Sequence, residues 1–260
     1  MLEQMINNIN QNEQKKSEIL LLDLGRTDYD YALELQDKLV SLKLNGFSSD
    51  FLIITEHNPV ITLGKLATED MLKLPIEDYN RLGIEIRRVG RGGWATYHGP
   101  GQIVGYPILD LEAKYEKIVR EDSPSEILKR LALYKEQMCN ALLETIRNYE
   151  PFNEHNTKNK KGGNLGGIWY IDDEGKEWKI GARGIEIVEN RITKHGFALD
   201  VTTPSFFHLI KPCGHEKDIA RSMHDFVRER LEYDTVKNQL ILNFGKILNY
   251  EIRKTTLDEI

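Results

Sequence analysis

Cys213 stands between Pro212 and Gly214, in a loop joining a strand to a helix, where the N–H groups that follow can face a developing oxyanion and lower the thiol pKa. That setting suits a nucleophile. An unperturbed thiol of pKa ~8.5 is only about 3% thiolate at pH 7, so it needs a base or cation beside it. On residue type alone the partner is His98, His195, His215 or a lysine of the 178–188 segment, Lys179 being the one followed by the small pair Gly181 and Ala182. The bland reading is an ordinary buried thiol. Cys213, Gly214 and His215 together are only a weak hint of metal ligation, and no second cysteine completes the P-C-x-x-C pattern of a zinc deaminase.

The second concentration of chemistry is the run from Gly90 to Tyr106, with six glycines, one histidine and three aromatics in seventeen residues. Glycine at this density brings backbone N–H groups close to a ligand without Cβ interference. Gly90, Gly92 and Ala95 superficially satisfy the G-x-G-x-x-A dinucleotide pattern, which requires a helix immediately afterwards. Thr96 to Gly101 cannot open one. A Walker A loop, a G-x-S-x-G elbow and an H-E-x-x-H helix are absent, which removes the commonest phosphate-loop, serine-hydrolase and zinc-protease readings.

The elements that must carry these residues alternate strand and helix. Ile19 to Leu24 is an apolar run ending at Gly25, and Thr27 with Asp30 has the form of a capping box for a helix whose apolar face is Ala32, Leu35, Leu39 and Leu42. Phe51 to Thr55 and Val60 to Leu63 read as strands about a turn at His57, Asn58 and Pro59; Ile84 to Val89 feeds the glycine run and Gln102 to Leu109 leaves it. Ser123 or Ser125 caps a long helix reaching about Tyr149, with Cys139 as inert packing at the edge of its apolar face. A meander follows over 168–171, 178–188 and 192–201, after a polar loop at 154–167. Ile219, Met223 and Phe226 suggest one further helix, and Val236, Leu240, Phe244 and Ile247 a terminal one.

The 260 residues carry a net charge of −6, 40% hydrophobic and 29% charged side chains, which fits a globular protein and argues against wholesale nucleic-acid binding. Two cysteines cannot build a disulfide framework, and without a secretory h-region the expected compartment is the cytoplasm. No apolar stretch approaches the ~20 residues of a membrane span. Residues 1–18 read as a polar arm and 19–260 as a single mixed α/β domain.

The residues from Arg91 to Tyr106 resemble the signature of the lipoyl(octanoyl) transferase family. The likeness extends through Leu24 to Tyr29 with Gln36, Glu56 to Val60 with Thr62 to Gly64, Lys179 to Ala182, His195 to Leu199, and Pro212 to Gly214. It implies a biotin/lipoate protein ligase-like α/β fold, with a mainly antiparallel sheet and flanking helices, and needs no cofactor or metal. It implies Cys213 and Lys179 as the catalytic pair. Substrate contacts are then expected from Arg91, Gly92, Gly93, Thr96, Tyr97, His98 and Gly99, and from Gly181, Ala182, His195 and Gly196, with Tyr97, His98 and the flanking glycines as walls of an acyl slot. The implied donor is octanoyl-acyl carrier protein; the implied acceptors are lipoyl domains of 2-oxoacid dehydrogenases and the glycine cleavage H protein. Arg87, Arg88, Arg91, Lys158, Lys160 and Lys161 are candidates to receive an acidic carrier. Asp200 stands where the family usually has Asn, which adds negative charge to the site if it points inward. The rival readings are an ATP-dependent lipoate or biotin protein ligase and a non-catalytic carrier-binding module.

Overall fold

The computed structural model describes residues 16–116, 119, 124–161, 166–202, 206–211 and 219–260. Its frame is an eight-stranded sheet in the order β11, β1, β2, β6, β10, β9, β8, β7. These strands are β1 (Ser17–Thr27), β2 (Asp50–His57), β6 (Gln102–Ile108), β7 (Thr157–Lys160), β8 (Gly167–Ile171), β9 (Glu177–Val188), β10 (Ile192–Asp200) and β11 (Tyr250–Lys254). β11, β1 and β2 run parallel and every other neighbour is antiparallel, so the expected mixed, mainly antiparallel sheet is observed. A separate three-stranded sheet joins β4 (Glu85–Arg88), β3 (Val60–Leu63) and β5 (Ala95–His98).

Apolar runs in β1 and β2 are continuous because both faces of these central strands are covered. The period of two then sorts them. Ile19, Leu21, Leu52 and Ile54 pack with α4 (Pro124–Ile146) and α5 (Tyr233–Leu248). Leu20, Leu22, Phe51 and Ile53 pack on the opposite face with Ala32, Leu35 and Leu39 of α1 (Tyr29–Leu44). Two short helices, α2 (Ile76–Arg81) and α3 (Leu111–Tyr115), complete the helical set among the described residues. Cys139 is fully buried against the first of these faces, where burial pushes its thiol up to about 11. It is packing, as expected.

Several local expectations are corrected. β1 starts at Ser17, which pairs with Tyr250 of the unanticipated β11, so the last two residues of the presumed arm belong to the sheet. Residues 1–15 lie outside the described residues. Thr27 does not cap α1: its hydroxyl bonds Thr55 at 2.9 Å, and the N-cap is Asp28, whose carboxylate accepts from Asn58. α4 starts at Pro124, a residue preorganised for the first helical position, and ends at Ile146; Ser125 is inside it, and Ser123 lies outside the described residues. The 154–167 stretch contains β7. No helix forms over 219–226. Met223–Asp225 is a single 3-10 turn held by reciprocal Ser222 and Asp225 bonds, because the backbone of 219–221 is bonded to the edge of β9 instead. Among the described residues no helix is long and apolar enough to cross a membrane.

Candidate active site

The cavity lies between the α1 face of β6, β10 and β9 and the inner face of the small sheet. Its volume is about 70 Å³, below the ~300 Å³ at which small-ligand pockets usually begin. Strand period decides which residues reach it. On β5, Thr96 and His98 face the cavity with Arg91 above them, while Tyr97 points to the other face, fully buried among Ile61, Phe206 and Phe207. Tyr97 is therefore not a wall, contrary to its place in the signature.

Lys179 reaches the cavity through an irregularity. Ile168 and Trp169 of β8 pair with Gly181 and Lys179, leaving Ile180 as the extra residue of a bulge. A bulge re-aims the side chains beside it. Ile180 joins the core beneath α4 and α5, whereas Lys179 lines the cavity together with Ala182. Lys179 is 7% exposed. β10 stops pairing with β9 at Gly181, so the next stretch of β9 backbone is open to another partner. Ile219 to Arg221 takes it: the Lys179 N–H donates to the Ile219 carbonyl at 2.7 Å, and the Arg221 N–H to the Lys179 carbonyl at 3.0 Å. Cys213 and His215 lie outside the described residues, six and four positions before Ile219 in sequence.

The glycines act mainly through close approach. An added Cβ at Gly105 would meet the Phe197 ring at 2.1 Å, and one at Gly196 would meet the Gly105 carbonyl at 2.2 Å. Both glycines let β6 and β10 close behind the cavity floor. In the signature loop the Gly92 N–H donates to the Ile185 carbonyl at 3.1 Å, and the carbonyls of Arg91, Gly93 and Trp94 accept from Lys65, Leu66 and Gly64. These groups tie the loop to its neighbours instead of presenting themselves to a ligand. Gly93 and Gly196 line the cavity; Gly92, Gly99 and Gly181 do not.

A network of buried polar groups holds three of the lining residues, Tyr106, His98 and His195. His57 Nδ1 faces the Thr27 carbonyl at 3.2 Å, which can only accept, so Nδ1 carries the proton and Nε2 accepts from the Tyr106 hydroxyl at 2.7 Å. His57 therefore orders Tyr106 of the cavity wall. Gln102 donates from Nε2 to the Tyr97 carbonyl at 3.2 Å and to Asp200 Oδ1 at 2.8 Å, and its Oε1 lies 2.6 Å from His98 Nδ1. Asp200 is 4% exposed and meets Gln102 without lining the cavity itself. His195 is held at a φ of 59°, donates its N–H to Gln36 Oε1 at 2.8 Å, and places Nε2 3.6 Å from Glu186. Burial keeps all three imidazoles neutral, at about 4 for His57 and about 3 for His98 and His195. Gln102 and Tyr106 were not singled out in the sequence; their place after the signature histidine was the available signal.

The basic residues offered for a carrier are mostly engaged. Arg87 pairs with Asp30 and Glu85, Lys158 and Lys160 with Glu177, and Lys161 with Glu136. Arg88 donates to the Ala67 carbonyl, and Arg91 is buried against Thr62. Trp169 is buried, with the Lys160 ammonium 3.9 Å above its ring.

This architecture defines a class. The sequence pattern described as the lipoyl protein ligase A/B catalytic domain matches residues 28–245. Two solved structures share the fold: a bipartite lipoate protein ligase from Thermoplasma acidophilum (TM-score 0.64, 17% identity, covering 95% of this chain and 89% of that one) and a lipoate-protein ligase A bound with ATP (TM-score 0.60, 17% identity, covering 94% and 91%). Nearer in sequence are the octanoyltransferases of Koribacter versatilis, 34% identical over 235 residues (90% of this chain, 86% of the relative), and Desulforamulus reducens, 31% identical over 234 (90% and 92%). The chain belongs to the lipoyl protein ligase A/B catalytic-domain family, and within it to the octanoyltransferases.

Proposed function

We propose that the protein transfers an octanoyl group from acyl carrier protein to a lysine of lipoyl domains, in lipoate biosynthesis, through an acyl-enzyme on Cys213. The observation that carries this reading is the placement of Lys179 on the cavity wall, bonded through its backbone to the segment that follows Cys213 in sequence. The Cys213 sulfur attacks the donor thioester carbonyl, and the carrier leaves as its thiol. The acceptor amine, once neutral, attacks the Cys213 thioester; an amide forms and the sulfur departs. Lys179 takes the amine proton and returns it to the sulfur. Exchange of a thioester for an amide is downhill and calls for no nucleotide.

Part of the cavity lining is apolar, as contact with an acyl chain requires. Val104, Phe197, Ala182 and Ala198 supply apolar wall, and some six buried methylenes at ~0.8 kcal/mol each contribute about 5 kcal/mol of binding. The test is intact-mass spectrometry after mixing with octanoyl-carrier protein, without ATP. An octanoyl adduct that disappears in Cys213→Ala is expected; a requirement for ATP and magnesium with activity surviving that substitution indicates the ligase reading instead.

A further inference from the structure

We propose that Asp200, acting through Gln102, fixes His98 in the tautomer that carries its proton on Nδ1, so that Nε2 accepts an N–H of the attacking lysine amine. This deepens the preceding reading and rests on it. The Gln102 amide has a settled orientation, because the Tyr97 carbonyl at 3.2 Å can only accept and so marks Nε2 as the donor end. The same nitrogen donates to Asp200 at 2.8 Å. Oε1 is then the atom 2.6 Å from His98 Nδ1, and an amide oxygen requires a proton on its neighbour.

With Nδ1 committed, His98 has one polar atom left. Nε2 has no protein partner among the described residues, and the ring lines the cavity with 7% exposure. Its plane is set by Tyr29, stacked at 6.2 Å and 16°, and by His57 edge-on at 5.9 Å. Because burial keeps the imidazole neutral, Nε2 is an acceptor, complementary to an amine. It has nothing to offer a carbonyl oxygen. The relay therefore serves aminolysis of the acyl-enzyme and not its formation, which makes Asp200 and Gln102 positioning residues.

Two measurements test this. Two-bond nitrogen–proton correlation on histidine-labelled protein, with His98 assigned by its loss in His98→Gln, should show the proton on Nδ1; a proton on Nε2 in the native protein overturns the proposal. In Asp200→Leu the Gln102 amide keeps only its longer, 3.2 Å bond to the Tyr97 carbonyl, so its hold on His98 weakens and the tautomer should mix. Octanoyl-amide formation on a lipoyl domain should then fall about tenfold or more, as expected for one lost hydrogen bond, while octanoyl loading from the carrier changes less than about threefold. Asp200→Asn keeps an oxygen acceptor and should restore amide formation to within about threefold of the native rate. Amide formation by Asp200→Leu within about twofold of native also overturns it. Should the native protein form no octanoyl-Cys213, the acyl-enzyme reading falls, and the relay is judged on the tautomer and on amide formation alone.

Discussion

Two of the buried polar clusters in this molecule are completed differently. At the start of β2, Lys43 meets Asp50 at 2.9 Å and three backbone carbonyls at 3.1 to 3.2 Å; Asp50 also accepts from the Asp110 N–H and the Tyr250 hydroxyl. Lys114 bonds the Leu248 carbonyl at 2.7 Å and lies 3.9 Å over the Tyr250 ring. Each charge has a partner there. Around the cavity the histidines are neutral, and among the described residues neither His98 Nε2 nor His195 Nε2 has a hydrogen-bond partner. A cluster that serves stability uses up its donors and acceptors, because each unpaired buried group costs about 1 to 3 kcal/mol. A site withholds some of them for its substrate.

The sharpest way to test this contrast is to exchange the readouts. Lys179→Ala should lower octanoyl transfer by ~10² to 10⁴-fold, the usual worth of a positioned acid–base group, while the melting temperature moves by less than about 4 °C. Near-native turnover would remove Lys179 from the mechanism. Asp50→Ala should do the reverse: stranding the Lys43 ammonium should cost about 3 to 5 kcal/mol in denaturant melts, with the folded fraction transferring octanoate at the native rate. A stable Asp50→Ala protein would show that this cluster is dispensable.

Smaller effects sharpen the comparison. The unfolded chain protonates its histidines near 6.5, whereas the folded one holds His57, His98 and His195 neutral down to about 4 or 3. Between those values the unfolded state binds more protons, so stability falls as pH drops, by up to ~1.4 kcal/mol per pH unit for each histidine. Urea midpoints at pH 7 and 5 should show the loss, with a shallower slope in His57→Gln; a flat profile would contradict the neutral network. Least of all should follow from Lys65→Ala. Its 2.7 Å pair with Glu186 is 60% exposed on the lysine side, and such pairs are worth about 0 to 1 kcal/mol. A larger loss of stability would mark Glu186 as part of the buried network.

Much of the frame was legible because it obeys local rules. Ile19 to Leu24, Phe51 to Thr55 and Phe197 to Val201 are strands whose apolar content announces burial, and each is a strand in the fold. The error over 219–226 is instructive: Ile219, Met223 and Phe226 have helical spacing, but the backbone at 219–221 finds better partners on the free edge of β9. β11 was missed because Tyr250 to Lys254 alternates weakly and is defined by pairing with Ser17 to Leu21, over two hundred residues away.

By itself the sequence determined the family and the two sheets' main strands, since those depend on residue type and short spacing. Which way each side chain points was decided only by the tertiary structure. Tyr97 and His98 are neighbours on one strand and face opposite sides. Lys179 would share the helix-covered face with Gly181 and Arg183 under a strict period of two. The extra residue Ile180 turns it to the cavity instead, and a bulge is a property of two strands in register, invisible in either one alone.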